Sequence, residues 1–169
     1  MCNSCSSAVL PARARSFDIQ SVFRRVASSA WVVAGVGEKG PVGFIATSLA
    51  SVSTTPPLVS FNIAKASPAL PALRDSRWAA AHLLDAGQRE VAARFCSPGA
   101  DAFSDERTWR YDDRGLPEIK DACARIVVSI RELFDAGESF VALADVRAGI
   151  IGSSRPLLHH RGGFVPATT

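Results

Sequence analysis

The sequence predicts a mainly β domain with a few short helices, folded as a closed or nearly closed antiparallel barrel. Short β-rich runs recur along the chain, each bounded by glycine or proline turn chemistry. Residues Arg125 to Ile130 alternate with period two, the spacing of a strand with two different faces. No strand–helix–strand alternation occurs, which disfavours a doubly wound parallel sheet. The 169 residues suit one domain, and a chain of that length buries about 70% of its unfolded surface, so it can fold without disulfide staples.

Each element follows from local chemistry. Phe17, Ile19, Val22, Phe23 and Val26 recur near helical spacing behind Ser16 as a candidate N-cap, with Arg24 and Arg25 on the other face. Trp31 to Val36 is β-rich and ends at Gly37-Glu38-Lys39-Gly40-Pro41, and the return strand from Val42 completes a hairpin. Val42 to Ala64 is β-like and nearly uncharged. Pro56 and Pro57 cannot donate to a ladder, so two strands around a corner are expected there. Ser67 as N-cap and Pro68 at the first helical position predict a short helix through Leu70 and Leu73.

Trp78 to Leu84 reads as a strand. Gln88 to Phe95 reads as a helix with Val91, Ala92 and Phe95 on one side, stopped by Ser97-Pro98-Gly99. Residues 100–120 are polar and aromatic and read as a covering loop, with Trp109 and Tyr111 available for an interface or a lid. The period-two run is followed by the turn Asp135-Ala136-Gly137-Glu138 and a partner strand from Phe140 to Val146. Pro156 to His160 is the last short strand.

Composition narrows the function classes. Hydrophobic residues make up 47% and charged residues 21%, with a net charge of +3, which excludes the disordered class. Acids are interspersed from Asp75 through Asp145 and no basic run occurs, which argues against a nucleic-acid groove. The longest apolar stretch, residues 30–36, is too short to span a membrane.

Cys2, Cys5, Cys96 and Cys123 do not form a secreted disulfide pattern. Cys2 and Cys5 have C-x-x-C spacing but no second pair, and residues 1–16 read as a disordered tail before a folded domain at 17–169. That tail has no secretory apolar core and only a faint transit-peptide character from Arg13 and Arg15, so a reducing cytoplasm is expected. His82, His159 and His160 lack metal-ligand spacing, and no metal site is expected.

The run Thr47-Ser48-Leu49-Ala50-Ser51-Val52-Ser53-Thr54-Thr55 is dense in hydroxyls within an uncharged region, and Lys65-Ala66-Ser67 follows it. Hydroxyls and backbone amides without carboxylates suit a phosphate or a polar heterocycle, and Lys65 adds a point charge. The same pattern also describes a solvated β face followed by an ordinary helix cap.

Gly40-Pro41-Val42-Gly43-Phe44-Ile45-Ala46-Thr47-Ser48, Ser51-Val52-Ser53, Pro56-Pro57-Leu58-Val59 and Lys65-Ala66-Ser67 occur in an order that resembles the short-chain flavin reductase family. The resemblance continues through Ala92-Ala93-Arg94-Phe95, Asp101 and Phe103, Gly115-Leu116-Pro117, Ala122 to Ala124, and Pro156-Leu157-Leu158-His159-His160-Arg161-Gly162-Gly163-Phe164. It covers about Phe17 to Phe164.

It implies an FMN-binding split β-barrel, antiparallel and Greek-key-like. The implied activity is hydride transfer from NADH or NADPH to FMN or FAD, supplying reduced flavin to a partner monooxygenase. A homodimer is implied as well. By this resemblance Pro41 to Ala46, with Gly43, Phe44, Ile45 and Ala46 as the named contacts, run along the isoalloxazine. Thr47 and Ser48 bond its polar edge or the ribityl chain, with Ser53 in the same hydroxyl run. Asn62, Ile63, Ala64, Lys65 and Ser67 follow the ribityl and phosphate, and Arg94 and Phe95 complete the phosphate side. The plainer reading of Arg94 is an ion pair with Glu90.

By the same resemblance Ser139, His159, His160, Arg161 and Gly162 fall on the nicotinamide side, and His159 and His160 are read either as a cofactor contact or as strand-end residues exposed to solvent. Arg161 is read either as a dinucleotide-phosphate contact or as a partner for an acid of another subunit. Two departures stand out. Gly137-Glu138-Ser139 replaces the family's Gly-Asp-His, and His82 replaces a common Asn. Ser139 cannot carry a cation, which leaves a second reading, a flavin-binding carrier or electron-transfer protein with little reductase activity. A third keeps the barrel with another substrate, since related barrels oxidise pyridoxamine phosphate or bind other flavins and haem.

Overall fold

The computed structural model describes residues 18–97 and 99–168. In chain order the elements are α1 (Ile19–Phe23), β1 (Ser28–Ser29), β2 (Trp31–Gly37), β3 (Gly40–Ala46), β4 (Ala50–Thr54), β5 (Pro57–Ala64), α2 (Leu70–Ser76) and β6 (Trp78–Leu83). They continue with α3 (Arg89–Cys96), β7 (Trp109–Tyr111), β8 (Pro117–Ile119), β9 (Ala124–Ala136), β10 (Ser139–Ile151), β11 (Leu157–His160) and β12 (Gly163–Pro166).

Seven strands form one antiparallel sheet in the order β3-β2-β6-β9-β10-β5-β4, beside a three-stranded sheet β1-β11-β12 and the β7-β8 ribbon. The edges of the large sheet, β3 and β4, are consecutive in the chain and joined only by residues 47–49. Four Cα steps reach at most about 14 Å, so the sheet must curl until its edges almost meet. Phe44 of β3 and Phe61 of β5 face each other across that seam with ring centroids 6.4 Å apart. No ladder joins β3 to β4, so the barrel is split and not closed by hydrogen bonds.

Period-two patterning decides which side chains fill the two faces. Ile126, Val128 and Ile130 of β9 point to the barrel interior with Phe61, Ile63, Ala142 and Ala144, and Leu70 and Leu73 of α2 pack against the same cluster. The outer face of β2 carries Val32 and Ala34 against Val91 and Ala92 of α3, with Phe103 and Ile119. A Cβ at Gly35 would lie 2.6 Å from Leu73 Cδ2, so glycine here allows α2 its close approach.

A Cβ at Gly43 would be similarly tight, 3.0 Å from Phe95 Cε1 and from the Val33 carbonyl oxygen. Gly43→Ala is expected to destabilise the protein by about 1–3 kcal/mol through overpacking, read as a lowered midpoint in denaturant at unchanged slope. An unchanged midpoint would show that Phe95 yields freely.

Several expectations need correction. The first helix is only Ile19–Phe23, with Asp18 as N-cap accepting from Gln20 N at 3.0 Å. Ser16, Phe17, Cys2 and Cys5 lie outside the described residues. α2 begins at Leu70, not at Pro68. Its N-cap is Ala69, and Ser67 accepts from Ala69 N in the preceding turn.

Residues 100–120 are more than a covering loop, because they contain the β7-β8 ribbon. Trp109 is not a free lid residue, since it stacks edge-on with Phe103 at 5.0 Å and donates Nε1–H to the Phe103 carbonyl at 2.7 Å. β9 and β10 run several residues beyond the predicted strands. Their ladder continues where both faces are wet, with Arg131 and Asp145 paired across it at 2.5 Å. The short strands β1 and β12 carried no pattern long enough to be read in the sequence.

Candidate functional site

At the split, a cavity of about 510 Å3 opens between the two sheets. One wall is the β3-β4 link, with Thr47 and Ser48, and the outward face of β5, with Asn62. The opposite wall is Ser28 of β1, His159 of β11, and Gln20, Phe23, Arg24 and Val26 from α1 and the turn after it. Its size is that of an ordinary small-molecule site.

Local geometry sets each of these groups. β4 pairs with β5 only as far as Ala50 opposite Ser60, and the next outward N–H, that of Asn62, donates to Ser48 Oγ at 2.8 Å. This bond uses an acceptor lone pair and leaves the Ser48 O–H as a donor. His159 sits opposite Ser28 in one register and Phe164 in the other, with its ring 5.4 Å from the Phe164 ring. Arg161 and Gly162 both have positive φ, 52° and 80°, the pattern of a type I′ turn between β11 and β12. The Arg161 N–H donates to the Arg24 carbonyl at 3.1 Å and ties that turn to α1.

The structure thus brings together Thr47, Ser48, Asn62 and His159 and leaves other expected residues elsewhere. Phe44, Ala46 and Ile63 pack in the interior, while Ile45 and Gly43 face the α3 cluster, so β3 has only its edge backbone to offer a ligand. Ala64 and Ser139 are paired in register on the same face as Asn62, two residues along, about 7 Å from it. Ser53 accepts from Thr55 N in the β4-β5 turn.

Lys65 follows the opposite face. Its Nζ is 2.6 Å from Asp135 Oδ2 and 5.1 Å from the centroid of Phe140, whose ring it shares with Arg74. Ser67 stays in the turn before α2. Arg94 pairs with Asp105 at 3.2 Å and Thr108 at 3.1 Å, not with Glu90, and Phe95 packs edge-on against Phe103 behind β3. His160, next to His159 on a strand, points to the other face.

Sequence reasoning missed Gln20, Phe23, Arg24, Val26 and Ser28. The only available signal was the apolar spacing of α1, which reads as core-facing. In fact Ile19, Val22, Phe23 and Val26 all stay well exposed, at 45–65%.

A second cleft of about the same volume is lined by Arg110, Tyr111, Glu118, Asp112 and Arg125. Arg110 pairs with Glu118 at 2.8 Å and Arg125 with Asp112, and the remaining Arg114 and Asp113 add one charge of each sign, so the lining is neutral on balance. Behind it His82 is fully buried. Arginine can only donate, so the Arg125 Nε–H bond to Nε2 at 3.1 Å makes Nε2 the acceptor and leaves Nδ1–H to donate to the Val32 carbonyl at 3.2 Å. Burial, and then the Arg125 charge, hold this imidazole neutral with its pKa lowered to about 4. The histidine that replaces the expected Asn is therefore a structural strut. Among the described residues no group of three or more His, Cys, Asp and Glu is placed to hold a metal ion.

Residues 23–168 match the family model described as the flavin reductase like domain. This chain belongs to the flavin reductase-like family. It is 33% identical over 156 residues to an NADH:FMN oxidoreductase of Rhodococcus qingshengii, covering 89% of this chain and 81% of that one. It is 32% identical over 151 residues to the reductase subunit of a flavin-dependent monooxygenase of Mycobacterium tuberculosis, covering 86% and 79%. Among solved structures it resembles the Streptomyces globisporus NADH:FAD oxidoreductase crystallised with NAD and FAD fragments, at 28% identity and a TM-score of 0.82, covering 89% of this chain and 91% of that one.

As a flavin reductase the protein is an oxidoreductase, and its cavity has a composition suited to that class. Arg24 is the one cation among its lining residues, and among the described residues neither a carboxylate nor a thiol lines the site. Such chemistry needs a shaped, polar-edged slot and no protein nucleophile.

Proposed function

We propose that the protein is an NAD(P)H:flavin oxidoreductase that transfers hydride from a nicotinamide to FMN or FAD and supplies the reduced flavin to a partner monooxygenase. The observation that carries this reading is the cavity at the split, where Thr47, Ser48 and Asn62 face His159 across a space of about 510 Å3. The family membership and the names of the relatives support it. Flavin, when bound, supplies a hydride acceptor.

The chain's part is to bind and orient. Thr47 and Ser48 present hydroxyl donors, and Asn62 presents an amide that both donates and accepts, a set suited to a heterocycle with carbonyl and ring-nitrogen edges. Phe23 and Val26 supply an apolar wall on one side. His159 stands opposite the hydroxyls, and Ser139 extends the same β5-β10 face, so both are assigned to the nicotinamide side. The domain is taken as 17–169 and its location as the cytoplasm. Among the described residues no helix is long and apolar enough to cross a membrane. The exposed Ile19, Val22 and Val26 support a homodimer, whose mass in solution should be about twice 17.9 kDa.

The test is NADH and NADPH oxidation by the purified protein with excess FMN or FAD. Turnover with at least one pair is expected, and tight flavin binding with no oxidation of either nucleotide would leave only a carrier. Thr47→Val, which removes one hydroxyl at constant volume, should weaken flavin binding about 5-fold without changing stability. An unchanged dissociation constant would remove Thr47 from the site.

A further inference from the structure

The cationic groups expected to meet a cofactor phosphate are otherwise engaged. Lys65 is held by Asp135 on the far face of β5, and Arg94 by Asp105 and Thr108 behind β3. Among the described residues that line the cavity at the split, Arg24 is the one cation and none is acidic.

The nearest carboxylate on the same element is Asp18, at the opposite end of α1. Six residues of helix separate the two caps by about 9 Å. Both Asp18 oxygens are already used, one by Gln20 N at 3.0 Å and one by Ser21 Oγ at 2.5 Å. Among the described residues no side chain forms an ion pair with Arg24. Its backbone, by contrast, is anchored, with its N–H donating to the Gln20 carbonyl at 2.9 Å and its carbonyl accepting from Arg161 N at 3.1 Å. The Arg24 charge reaches Asp18 only as the smallest of the influences that lower that carboxyl. A fixed main chain with a guanidinium that has no direct ion pair among the described residues, beside neutral hydroxyls and amides, is a site for an anion, and the planar fork of arginine matches phosphate oxygens two at a time.

We propose that Arg24, and not Lys65, receives the cofactor phosphate at this cavity. The inference rests on the flavin reductase reading of the same site. The phosphate belongs either to the flavin or to the nicotinamide dinucleotide, and the two sources separate in one set of measurements. Arg24→Gln and Lys65→Gln are titrated with FMN and with riboflavin, and the KM for NADH is measured for each.

Arg24→Gln is expected to weaken FMN about 10-fold or more while riboflavin stays within about 2-fold, and Lys65→Gln to leave the FMN-to-riboflavin ratio unchanged. A preserved ratio in Arg24→Gln with an NADH KM raised by a similar factor supports the proposal with the dinucleotide as the source. Unchanged ratio and unchanged KM in Arg24→Gln would overturn it, and so would a phosphate-selective loss in Lys65→Gln alone. Wild-type protein that binds neither FMN nor riboflavin would overturn the flavin reading together with it. Wild-type binding with no effect of Arg24→Gln overturns the phosphate assignment alone.

Discussion

Asp112→Ala is expected to lower the unfolding free energy by about 3–5 kcal/mol, a drop in Tm of roughly 10 °C or more for a chain of this length. One carboxylate here does three jobs. Its Oδ1 accepts from Arg114 N at 2.9 Å and Leu116 N at 2.8 Å, and its Oδ2 accepts from Arg125. Burial by itself would raise this carboxyl, but the bonds from Arg125, Leu116 and Arg114 outweigh it and hold the group below its ordinary value.

Both side chains of the Asp112–Arg125 pair are only 12% exposed, so removing the acid strands a buried guanidinium. The loop that places Leu116 over Ala80 and Val127 comes loose with it. The Arg107–Asp105 pair is the control. Arg107 is 90% exposed, and Arg107→Ala should leave the unfolding midpoint essentially unchanged. A loss below about 1 kcal/mol for Asp112→Ala would mean that water replaces the carboxylate and that the site is not dry.

The second large effect is a pH dependence set by His82. Its pKa is about 4 in the folded protein against an ordinary value of 6.5, so the unfolded chain binds the extra proton first as pH falls. The associated stability is fully present above about pH 6.5 and is lost progressively toward pH 4, on the order of 3 kcal/mol in all. The lowered carboxylates Asp105 and Asp112 contribute in a separate window, because stability from them is lost only as pH falls through and below the ordinary acid range.

His82→Asn isolates the imidazole. Its amide can still donate toward the Val32 carbonyl in place of Nδ1–H, but it does not titrate. The slope of unfolding free energy between pH 6.5 and 4.5 should flatten in the variant. Equal slopes in both proteins would show that His82 is already protonated or that its neighbours rearrange.

These two residues show where linear reading reached its limit. His82 stood out only as a departure from an expected Asn, and Asp112 was one acid in a polar stretch. Nothing local says that residues 82, 112 and 125 meet, because they are brought together by the β6-β9 ladder and the return of the β7-β8 ribbon. The same limit applied to the site. The hydroxyl run around Thr47 and Ser48 was legible because its composition is unusual, and Asn62 and His159 followed from the resemblance. Lys65 looked equally apt. A strand end has two faces, and the local sequence does not say which of them Asp135 occupies.

Fold class, strand count in the middle of the chain, the two covering helices and the family were all readable in order along the sequence. They depend on period-two burial, turn residues and collinear motifs, which are short-range properties. The identity of the cavity wall, the choice between Arg24 and Lys65, and the burial of His82 depend on contacts between residues far apart in the chain. They were settled only when the three-residue link after Ala46 forced the two edges of the sheet together and α1 came to lie across the gap.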